Sequence, residues 1–174
     1  MEVPRSGVLL SLNLAAETLP TPHDTGKTGI GKHPVTWPAA VSDPGPKRRG
    51  HPRPNGLDLT GTLVGERWRI GGIVVLQATS PRIPCATFAH RIGEPKWVKR
   101  FTARGATGTY LRVVVPGEIK AGDRIEVIRR PGHTVTIGRS FRALTTEAEL
   151  LPGLLQAGDD LPPEERAAVL RRIG

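Results

Sequence analysis

The chain has 174 residues, enough for one domain with its own hydrophobic core. Its 21 glycines and 17 prolines exclude an architecture of long helices, and its single cysteine excludes an internal disulfide and a cysteine-rich zinc site. A net charge of +9 first suggests nucleic acid, but the excess gathers in residues 91–142, where 12 basic residues face 4 acidic ones and aromatic side chains are too few to form stacking platforms. A compact anion is therefore the expected partner, and specific nucleic-acid binding is not expected.

In chain order, the N-terminal MEVPRSGVLL lacks a basic stretch followed by a long apolar one, and no apolar run reaches bilayer length. A cytoplasmic protein with no membrane partner is expected. GVLLSLN, Gly7 to Asn13, reads as a first strand, and TGIGKHPV, Thr28 to Val35, as a short edge strand. GKTGIGK, Gly26 to Lys32, is not a phosphate loop, because Thr21 stands where the first glycine belongs and Pro34 opposes the helix that should follow. Residues 41–55 hold four prolines, a Lys47–Arg48–Arg49 cluster and one aliphatic residue, so a disordered junction is expected there.

Leu57 and Leu59 alternate with polar neighbours, as does ERWRI, Glu66 to Ile70. Gly71 and Gly72 mark a turn into the apolar run IVVLQAT, Ile73 to Thr79, which predicts a β-hairpin. A helix is expected over Glu94 to Arg104, with Pro95 in its first turn and Trp97, Val98 and Phe101 on one face. TYLRVVV, Thr109 to Val115, and the end of AGDRIEVI, Ala121 to Ile128, read as two strands paired in a hairpin or meander. HTVTI, His133 to Ile137, reads as a last strand. The remainder, 143–174, reads as a helical extension. It has a capping box from Thr146 to Glu149 and a helix over Pro162 to Ile173 with acidic residues at its start and arginines at its end.

The only cysteine lies in SPRIPCATF, Ser80 to Phe88. Chemistry alone leaves two readings open. Cys85 is a small apolar residue packed under Phe88 and the strand from Ile73 to Leu76, or it is an accessible thiol whose thiolate Arg82 favours. PRIPC, Pro81 to Cys85, following GERWRIG, Gly65 to Gly71, resembles the MOSC domain family of molybdenum-cofactor sulfurase C-terminal-like proteins. The resemblance extends through SGVLLSLN, GKTGIGKHPV, GLDLTG (Gly56 to Gly61), WVKRF (Trp97 to Phe101), GTYLRV (Gly108 to Val113), AGD (Ala121 to Asp123) and RPGHTVT (Arg130 to Thr136). It points to the small bacterial branch linked to reduction of N-hydroxylated bases.

That family's usual histidine-glycine-glycine and GENLT-type motifs are missing between the two matching segments, so the chain reads as internally truncated. The resemblance implies a mostly β, barrel-like domain over 1–142 with short helices after it. It implies a molybdenum cofactor (molybdopterin), with Cys85 as metal ligand and catalytic thiol. It further implies molybdenum ion and pyridoxal phosphate binding, an N-hydroxylated small-molecule substrate and an electron-donor protein. Arg82, Lys99, Arg100 and Arg112 are candidates for holding the cofactor, being basic, near matched motifs and able to supply directed donors. The alternative reading is a non-catalytic remnant that binds an anion or a partner.

Overall fold

The computed structural model describes residues 57–117 and 122–174, together with the backbone of three strands nearer the N-terminus. The junction expected at about 41–55 lies outside the described residues. The strands are β1 Ser6–Val8, β2 Asn13–Leu19, β3 Gly29–Pro34, β4 Arg67–Ile70, β5 Val74–Pro81, β6 Thr109–Val115 and β7 Arg124–Arg129. The α-helices are α1 Ala86–Ile92, α2 Trp97–Arg104, α3 Ile137–Thr145, α4 Leu151–Leu154 and α5 Pro163–Ile173, with 3-10 turns at Ala148–Leu150 and Leu155–Asp160.

The expected β-barrel is overturned. Five strands form one open sheet in the order β1-β7-β4-β5-β6, and β2 pairs with β3 in a separate two-stranded sheet. Closing a barrel requires the two outermost strands to pair. Here β1 pairs with β7 and β6 with β5, so the described sheet has two edges and the domain is mixed α/β. The expected pairing of β6 with β7 fails for the same reason, since β4 and β5 lie between them.

The hairpin of β4 and β5 forms as its alternation predicts, with Trp68 opposite Leu76 and Ile70 opposite Val74. Those four side chains, with Leu57 and Ile125, make a core on one face of the sheet. A second core joins Val64, Val135 and Ile137 to Leu151, Leu154, Leu161 and Val169, so the last forty residues pack on the loop that enters β4.

HTVTI contributes one bridge, Leu63 to Thr136, and then turns helical at Ile137. The reason is local, because the Thr136 hydroxyl accepts a bond from the Arg139 N–H and caps α3. Thr146, expected to open a helix, instead closes α3. Pro95 precedes α2, whose N-cap Lys96 is left-handed at φ 55°. Trp97 is buried and meets the Phe101 ring in a tilted contact, centroids 5.9 Å apart, whereas Val98 is exposed. Among the described residues, no helix is long and apolar enough to cross a membrane.

Candidate functional site

Strand β5 delivers the cysteine loop. Its last residue, Pro81, is buried and registers with Thr109 at the start of β6. Pro84 is buried as well, so the two prolines pin the loop and the residue that follows is presented outward. Cys85 is exposed and stands at the N-cap of α1 in extended geometry, φ −126° and ψ 171°. Its carbonyl accepts the Ala89 N–H at 2.9 Å, and its side chain makes no capping bond. The helix beside the thiol is α1, which the sequence did not suggest, and not the one expected from Glu94.

A second element braces this loop. Ser80 Oγ donates to Glu165 Oε2 of α5 at 2.7 Å, and the Ser80 carbonyl accepts the Thr109 hydroxyl at 3.3 Å. Glu165 is half-buried, and its Oε1 is buried without a hydrogen-bond partner. Burial raises the Glu165 carboxyl above its usual range, and the Ser80 hydrogen bond offsets part of that rise. A carboxyl raised on folding adds stability below its unfolded value, and this is lost as pH rises through the folded value. Thermal melts across mildly acidic to neutral pH should therefore show Glu165→Gln, which cannot ionise, gaining on the parent as pH rises. A difference that is flat with pH, or that reverses, would contradict the assignment.

The other candidates divide among three elements. Arg82 is half-buried in the same loop as Cys85. Lys99 and Arg100 are exposed on α2, where Arg100 Nη1 pairs with Glu94 Oε2 at 2.6 Å and ties the helix to the turn before it. Arg112 is exposed on β6 and donates to Gln77 Oε1 at 2.7 Å. Thr109 registers with Pro81, so Arg112 lies three residues, about 10 Å, along β6 from the base of the loop. The structure thus joins Cys85 with Arg82 and sets Lys99, Arg100 and Arg112 on neighbouring elements without gathering all five at one point.

A cleft of about 640 Å³ opens elsewhere, between the turn at Asp58 to Gly61, the end of α2 and the start of α3. Arg104, Arg139 and Arg142 line it, with Asp58 and Glu147 opposing their charge; Cys85 does not line it. The first amides of α3 are already used: Ile137 N–H donates to Thr62 O, Gly138 N–H to Thr60 O and Arg139 N–H to Thr136 Oγ1. Any anion there would rely on side chains. The signal for it, Arg139 and Arg142 three apart on one helix, was hidden by reading HTVTI as a strand.

Pyridoxal phosphate binding is withdrawn as an expectation. A Schiff-base lysine is activated by desolvation in an enclosed pocket. The lysines with described side chains, Lys96 and Lys99, are both exposed, and neither lines the cleft. Among the described residues, no group of three or more His, Cys, Asp or Glu is placed to hold a metal ion.

Residues 54–126 match the family model described as "MOSC domain". The chain is 31% identical over 91 residues to a protein named "Reductase" from Gibberella moniliformis (strain M3125 / FGSC 7600), covering 51% of this chain and 16% of that one. It is 32% identical over 82 residues to "Uncharacterized protein YflK" from Bacillus subtilis (strain 168), covering 47% and 37%. The matches thus span well under half the length of both relatives. Among solved structures, YiiM from Geobacillus stearothermophilus superposes with a TM-score of 0.70 at 22% identity, covering 97% of this chain and 100% of that one. YiiM from Escherichia coli superposes at 0.57 with 20% identity, covering 67% and 58%. At these identities the structural likeness establishes the fold.

Proposed function

We propose a function that proceeds from one premise: through residues 54–126 the chain belongs to the MOSC domain family. On this reading the protein is cytoplasmic, holds a molybdenum cofactor beside Cys85 and reduces N-hydroxylated bases. The observation that carries it is the exposed Cys85 thiol, free of any capping bond and presented by a loop pinned at Pro81 and Pro84. A soft thiolate suits a molybdenum ligand, and Cys85 would be the residue that holds the metal. Arg82 would hold the cofactor's phosphate from the same loop, with Lys99, Arg100 and Arg112 contributing from α2 and β6.

When bound, the cofactor supplies the redox chemistry of N–O cleavage. The N–O bond breaks, water leaves, and the base gains its hydrogen from protons and electrons that a donor protein provides. The name "Reductase" carried by one relative agrees with this class of reaction. A non-catalytic reading, as an anion- or partner-binding module left by internal truncation, draws support from the open sheet and from a cleft that excludes Cys85.

Molybdenum content separates the two. After expression with molybdate and active cofactor synthesis, the parent should carry molybdenum by mass spectrometry. Cys85→Ala should lose it, and the cofactor-free forms of parent and variant should melt within about 2 °C of each other, as expected for an exposed position. The native thiol should also alkylate without unfolding. Absence of molybdenum from the parent would favour the non-catalytic module, and equal loading of both proteins would remove Cys85 as the ligand. An inert thiol with a melt lowered by many degrees would return Cys85 to the core.

A further inference from the structure

We propose that the sheet carries an oxyanion site formed by Arg67, Gln77 and Arg112, one side chain from each of β4, β5 and β6. Strand register places them in line: Arg67 is opposite Gln77, and Gln77 is opposite Arg112. Cross-strand partners share a face. The next residues along these strands, Trp68, Leu76 and Val113, turn the other way into the core, so the row occupies the opposite face. Adjacent strands are about 4.8 Å apart, which puts the two arginine Cα atoms about 10 Å apart. Two guanidinium groups at that separation can close on one tetrahedral oxyanion above Gln77.

Charge and hydrogen bonding point the same way. Arg67 Nε is buried and has no hydrogen-bond partner, an orphaned donor that calls for an acceptor. Arg112 bonds a neutral amide, Gln77 Oε1, and Gln77 is 2% exposed. That bond fixes the Arg112 guanidinium over Gln77. Neither arginine meets a carboxylate among the described residues, whereas their neighbours do. Arg69 pairs with Glu126 at 2.8 Å, and Arg129 pairs with Asp160 at 2.8 Å. The uncompensated charge is therefore confined to one spot and does not run on as a stripe, which fits a phosphate group and not a polymer. Planar forks matched to a tetrahedral anion favour phosphate over chloride.

A free phosphate monoester and the phosphate of a bound cofactor share this site's chemistry, and only the second source rests on the function proposed above. Inorganic phosphate is the probe, titrated calorimetrically into the full chain, with chloride at matched ionic strength as reference. Phosphate should bind and raise the melting temperature where chloride does not. Arg67→Gln and Arg112→Gln should each weaken binding by about tenfold or more, the loss of one charge-assisted pair. Arg67→Lys, which keeps the charge and the fold but loses the fork, should fall between. Arg69→Gln, whose arginine already pairs with Glu126, should bind as the parent does.

Repeating the titration on protein expressed with active cofactor synthesis identifies the source. Lost phosphate binding means the cofactor's phosphate occupies the row, and retained binding means a separate ligand does. The proposal is overturned if the parent takes phosphate no better than chloride, or if folded Arg67→Lys and Arg112→Gln bind as the parent does.

Discussion

Replacing Trp68 by alanine is expected to cost about 3–5 kcal/mol, a large share of the stability of a domain of this size. Trp68 is fully buried between Leu76 and Val127, its register partners on β5 and β7, and it anchors the core with Ile70, Val74 and Ile125. It also performs a second task. Its Nε1 donates to Glu66 Oε1 at 2.8 Å. Glu66 is 3% exposed and its other oxygen has no hydrogen-bond partner; Arg130 Nε is 3.8 Å away. Alanine would open a cavity and also strip that carboxyl of its donor. Trp68→Phe isolates the second effect, retaining most of the ring volume while leaving Glu66 without the indole, and should cost about 1–3 kcal/mol. Urea unfolding followed by circular dichroism measures both. Equal losses would mean that the Glu66 bond dominates, and losses under about 1 kcal/mol in both would remove Trp68 from the centre of the core.

Much of this architecture is written locally. RWRI alternates and leads through Gly71 and Gly72 into the apolar run from Ile73 to Thr79, and the two form the expected hairpin. Thr109 to Val115 is a strand with the expected bounds, and the acidic start and basic end of the last helix mark α5 to within a residue. What the sequence hides is long-range. β6 and β7 are consecutive in the chain, yet β4 and β5 separate them, because which strands pair depends on the whole sheet.

α1 was missed for a related reason. It is seven residues long, follows two prolines and has no stretch long enough to show a period; helices this short rely on tertiary packing. At Val135 to Ile137 propensity and outcome diverge, since a β-branched run is cut short by the hydroxyl cap of Thr136. The candidate site shows the same division. The sequence left Cys85 open between core and surface, and the burial of Pro81 and Pro84 before it decides for exposure. The alignment of Arg67 with Arg112 was not legible, because forty-five residues separate them and only the register of β5 brings them to one face.

Gly65→Ala is expected to destabilise the protein by about 3–4 kcal/mol, although it adds one methyl group to a loop. Gly65 has φ 85°, which costs an L-residue about 1–2 kcal/mol. Its N–H donates to Ala78 O at 2.7 Å and its carbonyl accepts from Arg129 Nη1 at 2.7 Å, so the backbone is held from both sides. A Cβ built there would fall on the carboxyl group of Asp160. That carboxylate cannot simply swing aside, because Arg129 grips both oxygens at 2.8 and 3.0 Å. The methyl group must therefore break the pair that fastens the segment before α5 to the end of β7.

A double-mutant cycle tests this explanation. Asp160→Gly removes the side chain that would collide and should be destabilising alone, since it leaves Arg129 without its acid. The double variant should lose less than the sum, with a coupling of about 1 kcal/mol or more. Strict additivity would show that the cost of alanine is the left-handed backbone alone. In that event the Arg129–Asp160 pair would tolerate the displacement, and the attachment of α5 to the sheet would rest on the Ser80–Glu165 hydrogen bond, Val169 and the apolar contacts around Val64.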